Sequence, residues 1–306
     1  MMKNKIALIT GVDGFTGHHL AMKLRERHYD VVGVDIGPKS RNPAIMDDYL
    51  SADLRDKHSV DKIFLRVMPD HVFHLAGIFR GSEIEIYRSN FIAGINLLDS
   101  IATYASSARV LVVGSAAEYG YVAEEEMPIK ESQACNPIHT YAISKYALTM
   151  ASRDYFFRKG LKVVVARPFN LIGPGLSEHL ILGAILKRVK EAILKSDSLI
   201  KVGRTDTQRD FLPVMDAVEA YIQLTEGEFW GEIVNICSGI PRRISSVIEY
   251  LFANFGKRFH LEEDPALIRP TDVKISYGSY EKANKLFGFT PKTDFMKTLS
   301  EMCQSL

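Results

Sequence analysis

Apolar residues in the first half of the chain fall in short, nearly unbroken runs rich in β-branched side chains: IALIT (6–10), VVGVD (31–35), HVFHLAG (71–77), RVLVVGS (109–115) and KVVVAR (162–167). Runs of this length without alternation are those of strands covered on both faces, as in a parallel sheet. Between them lie HHLAMKLRERH (18–28), SVDKIFLRVM (59–68), FIAGINLLDSIATYA (91–105) and TYAISKYALTMASRDYFFRKG (140–160), which read as helices. Strand and helix in alternation predict an α/β fold with a doubly wound parallel sheet.

The texture changes after Arg167. PFNLIGPG (168–175) is a Pro/Gly-rich exit from a strand, HLILGAILKRVKEAIL (179–194) reads as a helix, and 201–226 as a short strand, a polar loop and a further helix. GEIVNICSG (231–239) reads as a strand returning to the sheet, RISSVIEYLFANFG (243–256) as a helix, and the tail as a polar stretch before a short final helical region. The expected organisation is a sheet domain of 1–167 plus 208–239 and a smaller α/β C-terminal substrate domain of 168–207 plus 240–306. The two are interleaved, with no repeat or low-complexity linker between them.

Composition narrows the partners. With 38 basic and 37 acidic residues the formal net charge is +1, so no global field recruits nucleic acid or a membrane surface. No apolar run approaches the length that spans a bilayer, and MMKNK lacks the form of a secretory signal. Cys135, Cys237 and Cys303 are far apart and in no metal-ligand spacing, which predicts buried thiols in a reducing, cytoplasmic setting and no metal.

The first candidate chemistry follows the first strand. In GVDGFTG, Gly11 permits a tight turn, Gly14 lets backbone approach a pyrophosphate, and Gly17 lets the new helix pack on its strand, with Phe15 and Thr16 in its first turn. A glycine triplet also occurs in ordinary turns. Asp35 ends the second strand, eighteen residues beyond Gly17, where a carboxylate accepts from ribose hydroxyls and repels a 2′-phosphate. The order of strand, triplet, helix, strand and acid points to a Rossmann-type dinucleotide site that favours NAD(H). Lys39 and Arg41, just beyond, keep NADP(H) possible.

In TYAISKYAL (140–148), Tyr141 and Lys145 are four apart and share a helix face. An ammonium near a phenol lowers its pKa and makes it a proton donor or acceptor near neutrality; a solvated surface pair is the plain alternative. Ser115 closes the preceding strand, where strand ends line the ligand crevice of such sheets.

On these residues the chain resembles the extended short-chain dehydrogenase/reductases that act on nucleotide-diphosphate sugars. The motifs run nearly end to end: GVDGFTG, DLRD (53–56), HLAG (74–77), Asn90, GSAAEYG (114–120), YAISK, RPFNLIGPG, QRDFLPVMDAVEAY, NICSG and IRPTDV. The resemblance implies a modified Rossmann fold in which Gly11, Gly14 and Gly17 hold the pyrophosphate, Asp35 the ribose, and Asp53 with Leu54 the adenine. It places Leu75, Ala76 and Gly77 along the cofactor and makes Ser115, Tyr141 and Lys145 the catalytic set. The family usually carries HLAA, so Gly77 is a departure that leaves more room. Asn170 is similar to the residue that meets the substrate diphosphate, and Lys187, Arg209 and Arg269 to further ligands of the nucleotide, which a doubly charged group needs. The second half is most similar to enzymes of GDP-sugar metabolism, the GDP-6-deoxy-4-keto-mannose reductases and GDP-mannose 4,6-dehydratases.

The residues beside Ser115 narrow the chemistry. A dehydratase needs an acid/base carboxylate there, and Ala116 and Ala117 transfer no proton; Glu118, one residue on, is expected to point elsewhere. The 3,5-epimerase/4-reductases carry a cysteine where Ala117 stands, so His179 alone does not complete their pair. A 4-keto reductase and a 4-epimerase remain, and both use Ser115, Tyr141 and Lys145. The second half favours the reductase and Asp35 the epimerase, while a non-catalytic nucleotide-sugar or dinucleotide sensor stays open because fold does not fix function. The resemblance also implies a homodimer through a four-helix bundle, with Ile92, Ile95, Ala147 and Met150 at its seam.

Overall fold

The computed structural model describes residues 4–267 and 273–305. Its centre is a seven-stranded sheet, all neighbours parallel. The strands are β1 (Ile6–Thr10), β2 (Asp30–Asp35), β3 (Asp48–Ser51), β4 (His71–His74), β5 (Arg109–Val113) and β6 (Val163–Pro168), with β7 (Asn170–Ile172), β8 (Leu199–Val202) and β9 (Gln208–Pro213) elsewhere, and β10 (Ile233–Ile236) at the far edge. The order β10-β6-β5-β4-β1-β2-β3 reverses between β1 and β4, the switch at which such sheets bind ligands beyond their strand ends. The unbroken apolar runs of the sequence are these central strands: Ala7, Leu8, Ile9, Val110, Leu111 and Val112 are wholly buried.

Helices α1 (Phe15–Glu26), α2 (Lys57–Arg66), α3 (Glu83–Tyr87), α4 (Ala93–Tyr104), α5 (Thr140–Lys159), α6 (Ile181–Leu194) and α7 (Val214–Glu226) follow in chain order. One face of the sheet buries Leu20, Leu24 and Tyr221 of α1 and α7, and the other Ile63, Phe64, Leu97, Leu98 and Leu148 of α2, α4 and α5. The helix expected from residue 91 has a π-helical turn, 88–92, before α4, with Asn90 buried inside it.

The segment expected as a polar loop before α7 is β9, which pairs with β7, with β11 (Pro241–Arg243) and with β13 (Ile275–Ser276) in a second, smaller sheet. A third core gathers α6, β8 and the helix α8 (Ile244–Ala253), and β8 pairs with β12 (His260–Glu263). The final region holds two helices, α9 (Glu281–Phe287) and α10 (Phe295–Gln304); Ala283 of α9 packs into the core of the large sheet. Buried Asp210 ties this part together, accepting from the amides of Ser238 and Gly239 at 2.8 and 2.9 Å. No helix among the described residues is long and apolar enough to cross a membrane.

Candidate active site

Two cavities run along the strand ends and share Leu75, Gly77 and Ile78 in their walls. The first, of about 420 Å³, is lined by Gly11, Gly14, Asp35, Asp53, Leu54 and Ala76. The second, of about 890 Å³, is lined by Phe15, Thr16, Ser115, Tyr141, Lys145, Asn170 and Arg209.

The glycine turn has the shape of an anion cradle. Gly11 sits at φ +73°, and a Cβ there would come within 2.9 Å of the Ala76 backbone. A Cβ at Gly14 would lie 3.1 Å from the Gly11 carbonyl, and one at Gly17 only 2.2 Å from it. Gly14 is also the N-cap of α1 and has no side chain to accept from the first-turn amides, so they stay available to an anion. Bare backbone and uncapped amides together fit a pyrophosphate. At the end of β2, Asp35 accepts from the Asp13 amide at 3.1 Å and the Ile36 amide at 2.8 Å. Arg41 lines the same cavity, its amide bonded to Asp13. Asp53 takes a fork from Arg55, at 2.9 Å from Nε and 2.7 Å from Nη2, which holds its carboxyl below the usual range.

Ser115, Tyr141 and Lys145 come together at the mouths of β5 and β6. Ser115 caps a short turn, its hydroxyl accepting from the Ala117 amide at 3.2 Å. Tyr141 lies in the first turn of α5, whose N-cap is His139; the two rings stack with centroids 6.2 Å apart. Burial raises the pKa of the phenol, the Ser115 hydroxyl bond lowers it, and the charge of Glu118 raises it. The sequence predicts a phenol lowered by Lys145. Here burial wins and the phenol stays protonated. Lys145, 4% exposed, donates to the Val113 carbonyl at 2.8 Å, and burial lowers it to about 8.

The room left by Gly77 is narrow, since a Cβ would meet Asn90 Oδ1 at 2.9 Å and Lys145 Nζ at 3.4 Å. Asn90, which the sequence marks only by its place in the motif series, holds this corner. Its amide accepts from Ile78 N at 2.7 Å and donates to Ile78 O at 2.8 Å and Ser144 Oγ at 3.0 Å, pinning the turn after β4 to α5. A π-turn at a polar residue is a frequent mark of a functional site, but it has no signature in hydrophobic periodicity.

Ala116 and Ala117 line the second cavity beside Ser115. Glu118 turns away: it is wholly buried and paired with Arg167 at 2.8 Å. Asn170 donates to the Asp210 carbonyl at 2.8 Å, and Arg209 to the Gln208 carbonyl at 2.9 Å. Lys187 is not in the wall; it is half exposed on α6 and pairs with Glu178 at 2.8 Å. Arg269 lies outside the described residues. His179 is exposed, its ring 6.2 Å from that of Phe79, and it too lies outside the wall. Sequence reasoning missed Tyr221 of α7, wholly buried in the wall of the second cavity. Among the described residues no group of three or more His, Cys, Asp or Glu side chains is placed to hold a metal ion.

A family model described as GDP-mannose 4,6 dehydratase matches residues 8–302. The chain is 29% identical to a GDP-6-deoxy-D-mannose reductase of Pseudomonas aeruginosa over 95% of its own length and 93% of that protein's. Among solved structures it is similar to RMD from Pseudomonas aeruginosa complexed with NADPH, with a TM-score of 0.86 and 27% identity, covering 99% of this chain and 97% of that one. It is also similar to the UDP-glucose 4-epimerase of Thermus thermophilus complexed with NAD, with a TM-score of 0.87 and 26% identity over 98% of each chain.

Proposed function

We propose that this chain, which belongs to the GDP-mannose 4,6-dehydratase family of extended short-chain dehydrogenase/reductases and modifies nucleotide sugars, is a 4-keto reductase of the kind that turns GDP-4-keto-6-deoxy-mannose into GDP-rhamnose. The observation that carries this reading is the wall beside Ser115. Ala116 and Ala117 offer no acid or base, and Glu118 is withdrawn into an ion pair, so dehydration and 3,5-epimerisation lack their proton carrier. What is left is a hydride step with one proton, and a phenol held protonated by burial is a donor for it.

When bound, a nicotinamide dinucleotide supplies the hydride. Gly11, Gly14, Phe15, Thr16 and Gly17 would hold its pyrophosphate, Asp35 the ribose, Asp53 and Leu54 the adenine, and Leu75, Ala76 and Gly77 its length. The Ser115 hydroxyl bonds the C4 oxygen of the sugar, Tyr141 gives that oxygen its proton, and the Lys145 ammonium offsets the charge left on the phenolate. Asn170 and Arg209 face the diphosphate from β7 and β9; Arg269 would join them, and Lys187 only by leaving Glu178. Residues 168–207 and 240–306 then serve as the substrate domain, joined by β9, which pairs with their strands, while α9 of that stretch packs on the large sheet. Asp35 supports NADH as the working cofactor, and Arg41 in the same wall is the cation an NADPH phosphate would need.

Asp35 also favours a second reading, a 4-epimerase that keeps NAD bound and returns the hydride to the other face. Incubation with GDP-4-keto-6-deoxy-mannose and with UDP-sugars, each with NADH or NADPH, separates the two. Net loss of the reduced-nicotinamide absorbance supports the reductase, and interconversion without net loss the epimerase. No bound cofactor and no absorbance change with any keto sugar would leave a sensor and overturn both. We further infer a homodimer through a four-helix bundle, since α5 and the turn before α4 expose Ile92, Ile143 and Met150.

A further inference from the structure

The carboxylate of Glu118 lies behind the site with both oxygens engaged. Oε2 accepts from Arg167 Nε at 2.8 Å, and the guanidinium is itself 2% exposed. Oε1 accepts from the Ser115 amide at 2.8 Å and from the Thr149 hydroxyl at 3.0 Å. Thr149 stands four residues beyond Lys145 and eight beyond Tyr141, on their face of α5. One oxygen thus joins the turn that carries the serine to the helix that carries the other two groups. Gly114 makes room for it: a Cβ there would come within 2.4 Å of Oε1.

A buried ion pair is a poor way to gain stability, because apolar residues of similar volume often serve as well or better. Its neighbours leave this one an electrostatic role. His74 of β4 is buried, and burial, then the Lys145 charge, push it down to about 3, so it is neutral. Burial raises the Cys135 thiol and the Tyr119 and Tyr141 phenols, which stay protonated. The Val113 carbonyl is an uncharged acceptor for the ammonium, and the uncharged Asn90 amide lies across Gly77 from it. Among the described residues the charge that acts on Lys145 is that of Glu118, itself paired with Arg167, and it raises the proton affinity that burial lowers.

We propose that Glu118 is the positioning residue of this site: its buried carboxylate braces the Ser115 turn against α5 and stands as the fixed countercharge of Lys145, with Arg167 holding that charge in place. The proposal rests on the reading of Ser115, Tyr141 and Lys145 as the reacting set.

The test does not depend on the substrate. The full chain is labelled with ε-13C-lysine, Lys145 is assigned through Lys145→Met, and its titration is followed by NMR. Glu118→Gln is expected to move the midpoint down by about one pH unit or more, the scale of a lost neighbouring charge. Glu118→Gln/Arg167→Met, which buries no lone charge, is expected to move it the same way by less. An unmoved midpoint in whichever of the two folds overturns the proposal. Thr149→Val cuts the link to α5 and spares the ion pair; turnover of GDP-4-keto-6-deoxy-mannose should fall roughly tenfold at unchanged NADH affinity, and unchanged turnover overturns the brace. Should wild type not turn over GDP-4-keto-6-deoxy-mannose while Lys145 still responds to Glu118, the choice of substrate under the proposed function fails and the countercharge stands.

Discussion

Tyr141 and Lys145 share a helix face, yet their surroundings act on them in different ways. Burial lifts the phenol and depresses the ammonium, so near neutrality the pair holds a proton on each partner. Tyr141→Phe keeps the ring and removes the proton. It should bind NADH as wild type does and lose turnover by a factor of about a hundred or more, the scale of a positioned proton donor; stopped-flow absorbance and fluorescence titration measure the two. A lysine lowered to about 8 gives the proposed reduction an upper limb: turnover should decline as pH rises through about 8 and the ammonium is lost. A flat profile to pH 9.5 would remove Lys145 from the reaction. Both residues were legible in the sequence. The balance of burial against charge was not, because it depends on what β5, the Ser115 turn and Glu118 place around them.

The strand-turn-helix element at the start of the chain is tied to its glycines by contact distances. A methyl at residue 17 would stand 2.2 Å from the Gly11 carbonyl, so Gly17→Ala must lift α1 off β1. Overpacking of this kind costs about 1–3 kcal/mol. It also misaims the uncapped amides of α1, so thermal denaturation should show the lost stability and calorimetry an NADH affinity lower by tenfold or more. Wild-type affinity would separate the glycine turn from the cofactor. The central strands were readable because burial on both faces leaves an unbroken apolar signature. β9 was not readable as a strand. Its polar QRD start serves a small sheet and the cavity wall, so Arg209 faces ligand space while Asp210 is bonded inward.

Across the whole molecule, buried histidine links folding to pH. Burial holds His74 at about 3 in the fold, against 6.5 for the free side chain. A depressed folded value means that the unfolded chain takes up the proton first. The contribution of His74 is therefore complete above about pH 6.5 and lost as pH falls towards 3. The melting temperature should drop between about pH 6.5 and 5, and His74→Leu should flatten that slope; equal slopes would exclude His74 as the source. Association is tested at the same scale. Met150 is 41% exposed and Ile92 42%, and a charge at either should turn the inferred dimer into a monomer in sedimentation velocity.

By itself the sequence determined the central strands, the glycine turn, the acid at the end of β2 and the helix face that Tyr141 and Lys145 share, because each is written in contiguous spacing: apolar runs, glycines three apart, a phenol and an amine four apart; the roles proposed for Asp35, Ser115, Tyr141 and Lys145 come from the resemblance. Tertiary structure alone decided what lies across space: that Glu118 turns inward to Arg167, forty-nine residues on, that Asn90 closes the corner at Gly77, and that Lys187 is held away by Glu178. Those outcomes depend on partners brought together only by packing, and the polar ends of such contacts look like ordinary surface residues in a linear chain.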